Sequence, residues 1–249
     1  MDLIQYWHEG RPPGDVARLI ARMRRDNPDF EHRLFDRASA VRFIDEHWGP
    51  RERIAFETCA VPAMQADYFR LCALITTGGV YADADSISRR PLRTLFAQSP
   101  RNLMVTLDGY LTTGLMGFWR PGDAFLRAVL NLATENIEQR RFGNVYVVTG
   151  PPVADAIRAL LDASWLDAMI SRCDEWARGM RFGRLLDHAR ALTPVTEELT
   201  AAYQDLRLIE MKETRPWQDI RRASYKRTPM DWRRWKGSIF DPEAAPQCD

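Results

Sequence analysis

Gly78-Gly79-Val80-Tyr81-Ala82-Asp83-Ala84-Asp85 follows directly on a segment, Met64 to Thr77, in which Met64, Tyr68, Leu71, Cys72 and Ile75 recur at the i, i+4, i+7, i+8, i+11 spacing of a core helix. Gly78 stands where a helix C-cap is wanted, and Gly79 opens a short apolar strand, Val80 to Ala82. The unit is helix, Gly-Gly, strand, acidic pair. Side chains alternate along an extended segment, so Tyr81, Asp83 and Asp85 are expected on one side. Two carboxylates at a buried strand end repel unless a cation joins them, and hard oxygen ligands suit Mg²⁺ or Mn²⁺. An Asp-x-Asp alone is weak, since one arises by chance roughly once in a chain of this length, and on a solvated loop it would mean nothing.

Working outward, Leu3 to Trp7 reads as a first buried strand before the turn-forming His8-Glu9-Gly10-Arg11-Pro12-Pro13-Gly14. Asp15 can cap a helix carrying Val16, Leu19, Ile20 and Met23 that stops at Asn27-Pro28. A strand from Phe30 to Phe35 follows, then a helix through Val41, Ile44 and Trp48 ended by Gly49-Pro50. This β-α-β-α start implies a parallel sheet covered by helices, with functional groups at the carboxyl ends of the strands. Further on, Pro91 to Phe96 reads as a short helix, Leu103 to Leu107 and Leu115 to Trp119 as strands, and Ala124 to Gln139 as a helix. Thr149-Gly150-Pro151-Pro152 leads into another helix, and residues 164 to 200 are helical by composition.

On the helix before the glycines, Asp67 and Arg70 are i, i+3 neighbours. They read either as a modest surface ion pair or, with Asp83 and Asp85, as a constellation around one crevice. The order and spacing of these elements resemble glycosyltransferases with a sugar-binding DXD region. These include initiating α-1,6-mannosyltransferases, bacterial capsular and lipopolysaccharide sugar transferases, and the glucosylating domains of clostridial toxins. The resemblance rests on Ala66-Asp67-Tyr68-Phe69-Arg70 and Gly78 to Asp85, on Ile4-Gln5-Tyr6-Trp7, on Asn27-Pro28-Asp29-Phe30 through Leu34-Phe35-Asp36, and on Thr149-Gly150-Pro151. It spans roughly the first 160 residues.

The resemblance implies a GT-A-type α/β fold, a Rossmann-like mixed sheet flanked by helices with helical additions toward the C-terminus. A single domain over 1–249 is expected, with a nucleotide-sugar half at 1–120 and an acceptor-side half with a basic C-terminal segment at 121–249. By the same resemblance Asp85 would coordinate Mn²⁺ or Mg²⁺ directly, Asp83 would contact the ribose and a metal-bound water, and Asp67 and Arg70 would grip hydroxyls of the donor sugar. Trp7 would stack on the base, with Tyr6, Gly79 and Tyr81 completing the donor site. Transfer would retain the anomeric configuration. Family members often end in a His and a Ser-Trp pair that complete the metal and phosphate site. Here no His follows His188 and Phe240 stands where Trp is expected, so Trp235 and Ser238 are the candidates and the third metal ligand stays open.

Arg221, Arg222, Lys226, Arg227, Arg233, Arg234 and Lys236 cluster with Tyr225, Trp232 and Trp235 against one acid, Asp231. The cluster reads as a solvated face, as a patch for an anionic membrane leaflet or lipid-linked acceptor, as cations closing over the donor diphosphate, or, least favoured, as an aromatic-basic cradle for single-stranded nucleic acid. With 35 basic and 34 acidic side chains the net charge is only +1, so the overall field gives no reason to expect nucleic acid as a partner. The 45% hydrophobic content excludes disorder. Cys59, Cys72, Cys173 and Cys248 form no Cys-x-x-Cys pair, and Cys59 and Cys72 are expected in the core. His8 is expected in water on its turn, and His32, His47 and His188 on amphipathic surfaces. The start of the chain lacks signal-peptide character, so a cytoplasmic setting, peripheral at the inner membrane face, is the expectation. The nearest approach to a membrane span, Leu103 to Trp119, reads as buried strands.

The function expected is therefore transfer of a hexose from a UDP- or GDP-linked donor to a glycan or glycolipid acceptor in surface polysaccharide or lipopolysaccharide synthesis. A catalytically silent nucleotide-sugar or glycan-binding module and a metal-dependent phosphodiesterase are the alternatives.

Overall fold

The structure, a computed structural model, describes residues 1–96, 102–171, 180–211, 217–219 and 223–241. Cys173, Arg221, Arg222 and Cys248 lie outside them. The first half runs β1 (Asp2–Tyr6), α1 (Gly14–Asp26), β2 (Glu31–Phe35), α2 (Arg37–His47), α3 (Pro50–Thr58), α4 (Pro62–Thr77), β3 (Gly79–Ala82), β4 (Ser86–Ser88) and α5 (Leu92–Phe96). The second runs β5 (Leu103–Leu107), β6 (Tyr110–Phe118), α6 (Ala124–Glu138), α7 (Val145–Val148), α8 (Pro151–Leu161) and α9 (Ala163–Ser171). Helices at Met180–Leu192 and Glu197–Gln204 precede β7 (Arg207–Glu210) and β8 (Trp217–Asp219).

Six strands form one sheet in the order β2-β1-β3-β6-β5-β7, and β4 pairs with β8 in a small second sheet. The alternation of strand side chains divides the core between the two faces. Ile4, Tyr6, Tyr81, Met104 and Met116 pack with the helices of the larger core, while Leu3, Val80, Ala82, Leu103, Val105 and Leu115 pack with Met23 and Ile209 on the other side. Central to the larger core is α4, with Met64, Tyr68, Phe69, Leu71, Cys72, Leu74 and Ile75 all buried. Burial of side chains of this size contributes about 1.5–3 kcal/mol each.

The sheet is mixed, as the resemblance implied, and the β-α-β-α start accounts only for its parallel part. β1 lies parallel to β2 and β3, and β5 parallel to β7, but β6 runs antiparallel to both β3 and β5. The cause is a two-residue hairpin at Asp108-Gly109, whose φ angles of 54° and 87° are both left-handed, as a tight hairpin turn requires. The strand expected at Leu115 to Trp119 therefore begins at Tyr110. Pro50, expected only to end a helix, instead supplies the first residue of α3, where a missing N–H costs nothing. His188 is buried rather than superficial, because it shares the inward stripe of Leu185 and Ala189.

Gly78 and Gly79 are required by the backbone. Their φ angles are 67° and 103°, and a Cβ would lie 2.9 Å from the Phe118 carbonyl oxygen or 2.8 Å from that of Asp2. The chain can thus turn from α4 straight into the centre of the sheet, which fixes where β3 ends.

Beneath β6, the buried Asp155 of α8 accepts a hydrogen bond from the Leu111 N–H at 3.1 Å. Burial pushes its pKa from 3.8 up to about 8, opposed only partly by that N–H and by the Arg158 charge. Between those values the folded chain holds a proton the unfolded chain has lost, so stability falls as pH rises through this window. Asp155→Asn is expected to flatten that slope and to raise relative stability at pH 8 by at most roughly 5 kcal/mol. Urea denaturation at pH 5 and pH 8 measures it.

Candidate active site

β1 and β3 are adjacent and parallel, and the chain leaves β1 toward β2 on one side while β3 lies on the other. A crevice outside the carboxyl ends of such strands is where open α/β sheets bind ligands. Here it is a cavity of about 280 Å³, lined from β1 by Tyr6, Trp7 and His8 and from β3 by Tyr81, Asp83 and Asp85. Asp67 and Arg70 reach it from α4, Thr112 and Thr113 from β6, and Tyr225, Lys226, Trp232 and Arg233 from the C-terminal segment.

Arg70 is the hub. Its Nε donates to the Ala66 carbonyl at 3.1 Å, and one terminal nitrogen donates to the carbonyl and hydroxyl oxygens of Thr113 at 2.6 and 2.7 Å. The other terminal nitrogen meets Asp67 at 2.9 Å and Asp83 at 3.1 Å. Five acceptors surround the five N–H donors of the guanidinium, which also lies over the Tyr81 ring at 4.6 Å. The surface-ion-pair alternative is thereby corrected: Arg70 is 4% exposed. Its donors are engaged by protein groups, so Arg70 sets the carboxylates rather than presenting a fork to a sugar.

Burial pushes the Asp67 pKa up to about 6 against the opposing Arg70 charge and the Thr149 hydroxyl, and raises that of Tyr81 well above its ordinary value. Asp67 is therefore largely ionised at pH 7, a strong acceptor in a mostly apolar setting. The backbone around Asp83 is equally fixed. Its N–H donates to the Gly114 carbonyl at 2.9 Å, and its carbonyl accepts from Gln5 Nε2 at 3.2 Å and Ser86 Oγ at 2.5 Å.

The two acids do not continue the strand as expected. β3 ends at Ala82 and the chain turns, so Asp83 faces Arg70 while Asp85 faces the C-terminal segment. Asp85 Oδ2 accepts from the Tyr225 hydroxyl at 2.7 Å and pairs with Lys226 Nζ at 2.6 Å. Both carboxylates still line the one cavity.

Tyr6 donates its hydroxyl to Gln65 Oε1 at 2.8 Å, and burial raises its pKa. Trp7 packs perpendicular to Tyr225 with ring centroids 5.0 Å apart, and its indole N–H has no hydrogen-bond partner among the described residues. His8, expected in water, is partly buried at the cavity wall, and that burial lowers its pKa. Tyr146 and Trp232, also on the cavity wall, stack with rings 9° from parallel and 5.9 Å apart.

Tyr6, Trp7, Asp67, Arg70, Tyr81, Asp83 and Asp85 are thus brought together. Gly79, Trp235 and Ser238 are not among the cavity's lining residues. Gly79 opens β3 at the far end of the strand, and Trp235 donates its indole N–H to the Ser238 carbonyl at 3.0 Å within a local turn. Sequence reasoning placed Lys226 and Arg233 in a basic cluster but could not put them at the acids. The interleaved Tyr225 and Trp232 were the available signal.

Residues 13–102 match the family model for a glycosyltransferase sugar-binding region containing a DXD motif. The chain carries a DXD glycosyltransferase region. This match supports sugar transfer in general. The region holds Asp67, Arg70, Asp83 and Asp85, and the C-terminal segment that closes on them lies beyond it. In fold the chain is similar to the PaToxG glycosyltransferase, with a TM-score of 0.51 and 18% identity over 82% of this chain and 84% of that one. No curated protein matches the sequence.

DXD glycosyltransferase regions generally use a divalent metal. Among the described residues no three His, Cys, Asp or Glu side chains are grouped to hold one. Mg²⁺-like ions, however, are held by one or two carboxylates together with substrate phosphates and water rather than by all-protein cages. The donor set fits that pattern: Asp85 is a mostly buried hard-oxygen ligand on the cavity wall, and a cation, the Lys226 ammonium, already stands against it.

Proposed function

We propose that this glycosyltransferase region makes the chain a retaining, divalent-metal-dependent hexosyltransferase. The donor is a UDP- or GDP-linked sugar and the acceptor a glycan or glycolipid of a surface polysaccharide or lipopolysaccharide. The observation that carries the reading is the Asp67–Arg70–Asp83 ion-paired array and Asp85 facing one cavity at the carboxyl ends of β1 and β3.

Asp85, with Asp83 beside it, would hold Mn²⁺ or Mg²⁺. When bound, the metal neutralises charge on a departing nucleoside diphosphate. The protein groups do the rest. Trp7, with Tyr225 packed against it, offers a flat apolar wall for a base, and Asp67 accepts hydrogen bonds from sugar hydroxyls. Arg70 keeps both acids in place before the donor arrives, so the electrostatic arrangement costs no reorganisation during reaction. The bond between anomeric carbon and phosphate oxygen breaks with its electron pair leaving on the phosphate. The acceptor oxygen forms the new bond on the same face, and its proton passes to the departing phosphate oxygen. The Tyr146–Trp232 stack on the cavity wall suits an acceptor sugar ring.

Exposed Arg227, Arg234 and Lys236 would favour a peripheral encounter with an anionic membrane face, in keeping with a cytoplasmic enzyme acting on a lipid-linked acceptor. Among the described residues no helix is long and apolar enough to cross a membrane.

The test is a UDP- and GDP-sugar panel, with and without Mn²⁺, read by thermal shift and by nucleoside diphosphate release. One donor is expected to raise the Tm with Mn²⁺ present and to release diphosphate, with product of α configuration by NMR. Absence of both release and calorimetric binding across the panel overturns the proposal.

A further inference from the structure

We propose that Lys226 is an exchangeable occupant of the metal position. It neutralises Asp85 while the site is empty, and a divalent cation displaces it into the cavity, where its ammonium meets the departing diphosphate. This rests on the metal-dependent reading above and assigns a role to a residue outside the DXD region.

The Asp85 Oδ2 atom already receives two donors, Lys226 Nζ at 2.6 Å and the Tyr225 hydroxyl at 2.7 Å. The pair is well shielded, with the Lys226 side chain 13% and that of Asp85 9% exposed. A metal bound to that oxygen at about 2.1 Å would stand within a few ångströms of the ammonium, and two cations so close in a shielded site repel strongly. One must leave.

Lys226 can move while its backbone stays. Ser224, two residues earlier, is anchored by its N–H and hydroxyl to the two Asp15 carboxylate oxygens at 2.6 and 2.8 Å. Ala223 is buried with Val16 and Ile20, and the Thr228 N–H closes the 3-10 turn on the Tyr225 carbonyl at 2.9 Å. A flexible four-carbon stem on a fixed turn can swing its ammonium from the carboxylate to a phosphate nearby. The cavity already carries a second cationic side chain, Arg233, on the same segment.

The residue type agrees with this. The chain has three lysines, Lys212, Lys226 and Lys236, against 32 arginines. Arg70 fills the fixed role with a rigid planar fork, whereas an ammonium is a compact point charge suited to exchange between an anion and a metal's place. Lys226 acts by charge and hydrogen bonding alone.

Mn²⁺ titration followed by the electron paramagnetic resonance signal of the free ion, with no donor present, tests the exchange. Lys226→Met keeps the stem and removes the charge, and is expected to bind Mn²⁺ about tenfold more tightly than the native chain. Lys226→Arg, which keeps the charge, is expected to stay near the native affinity, and the Tm of each variant checks that the turn remains docked. With a donor from the panel and saturating Mn²⁺, Lys226→Met is expected to turn over about tenfold more slowly in spite of its tighter metal. Equal Mn²⁺ affinities in native and Met variants, or an undiminished turnover, overturn the exchange and leave the metal-dependent reading standing. Absence of Mn²⁺ binding in every variant, with UDP or GDP added, overturns both.

Discussion

Asp85→Asn is expected to lower donor turnover by about 10³-fold while leaving the Tm within a few degrees of the native value. The substitution keeps the shape of the side chain and an acceptor oxygen for the Tyr225 hydroxyl, which now bonds to Oδ2 at 2.7 Å. What it removes is a single negative charge on the cavity wall. Lys226 loses its pairing with Asp85, but its long stem can carry the ammonium toward solvent, so the stability cost stays below the several kcal/mol of a stranded buried charge. A role confined to docking the C-terminal turn predicts the reverse, a lower Tm with turnover unchanged. Measuring kcat at saturating Mn²⁺ beside a thermal melt separates the two, and turnover within tenfold of native removes Asp85 from the chemistry.

The contrast between Asp85 and its neighbours marks how far the sequence could be read. The unit from Met64 to Asp85 was legible because its signals are local: a 3.6-residue stripe, two glycines forced by positive φ and close carbonyls, and an apolar strand that cannot be exposed. The strands β1 and β2 and the helix between them were legible for the same reason. The antiparallel half was not, although Asp108-Gly109 is a hairpin dipeptide, because Thr112, Thr113, Gly114 and Gly117 obscure the alternation of the nine-residue strand that follows it.

Contacts across long stretches of chain were beyond reach in principle. Tyr225 meets Asp85 across 140 residues and Ser224 meets Asp15 across 209, and no periodicity encodes which segment folds back over which acid. The saturation of Arg70 was hidden for a related reason. An i, i+3 spacing predicts the Asp67 contact, but the Thr113 contacts depend on β6 being placed beside β3, which only the antiparallel register provides. Trp235 and Ser238 illustrate the opposite case, since family analogy brought them toward the site while the structure bonds them to each other in a local turn and leaves them out of the cavity lining.

Arg70→Met is expected to be the most damaging single change in the site, costing about 3–5 kcal/mol of stability and abolishing donor turnover. The guanidinium holds Asp67 and Asp83 at 2.9 and 3.1 Å, and its removal leaves two carboxylates in a mostly buried setting with that cation gone. Burial already holds the Asp67 pKa at about 6 with the Arg70 charge opposing it. Without that charge the pKa rises further, which weakens Asp67 as an acceptor. Lysine cannot substitute, because one ammonium has three donors for an array of five acceptors and no planar fork to span both acids. The double variant Arg70→Met/Asp67→Asn tests the cause. If the loss comes from an uncompensated buried carboxylate, the double variant recovers stability relative to Arg70→Met, giving a coupling energy of about 1–3 kcal/mol in a double-mutant cycle by urea denaturation. Additive losses instead would place the damage in the Thr113 contacts that tie α4 to β6. In either case turnover stays absent, since the cycle restores charge balance and not the ionised carboxylate.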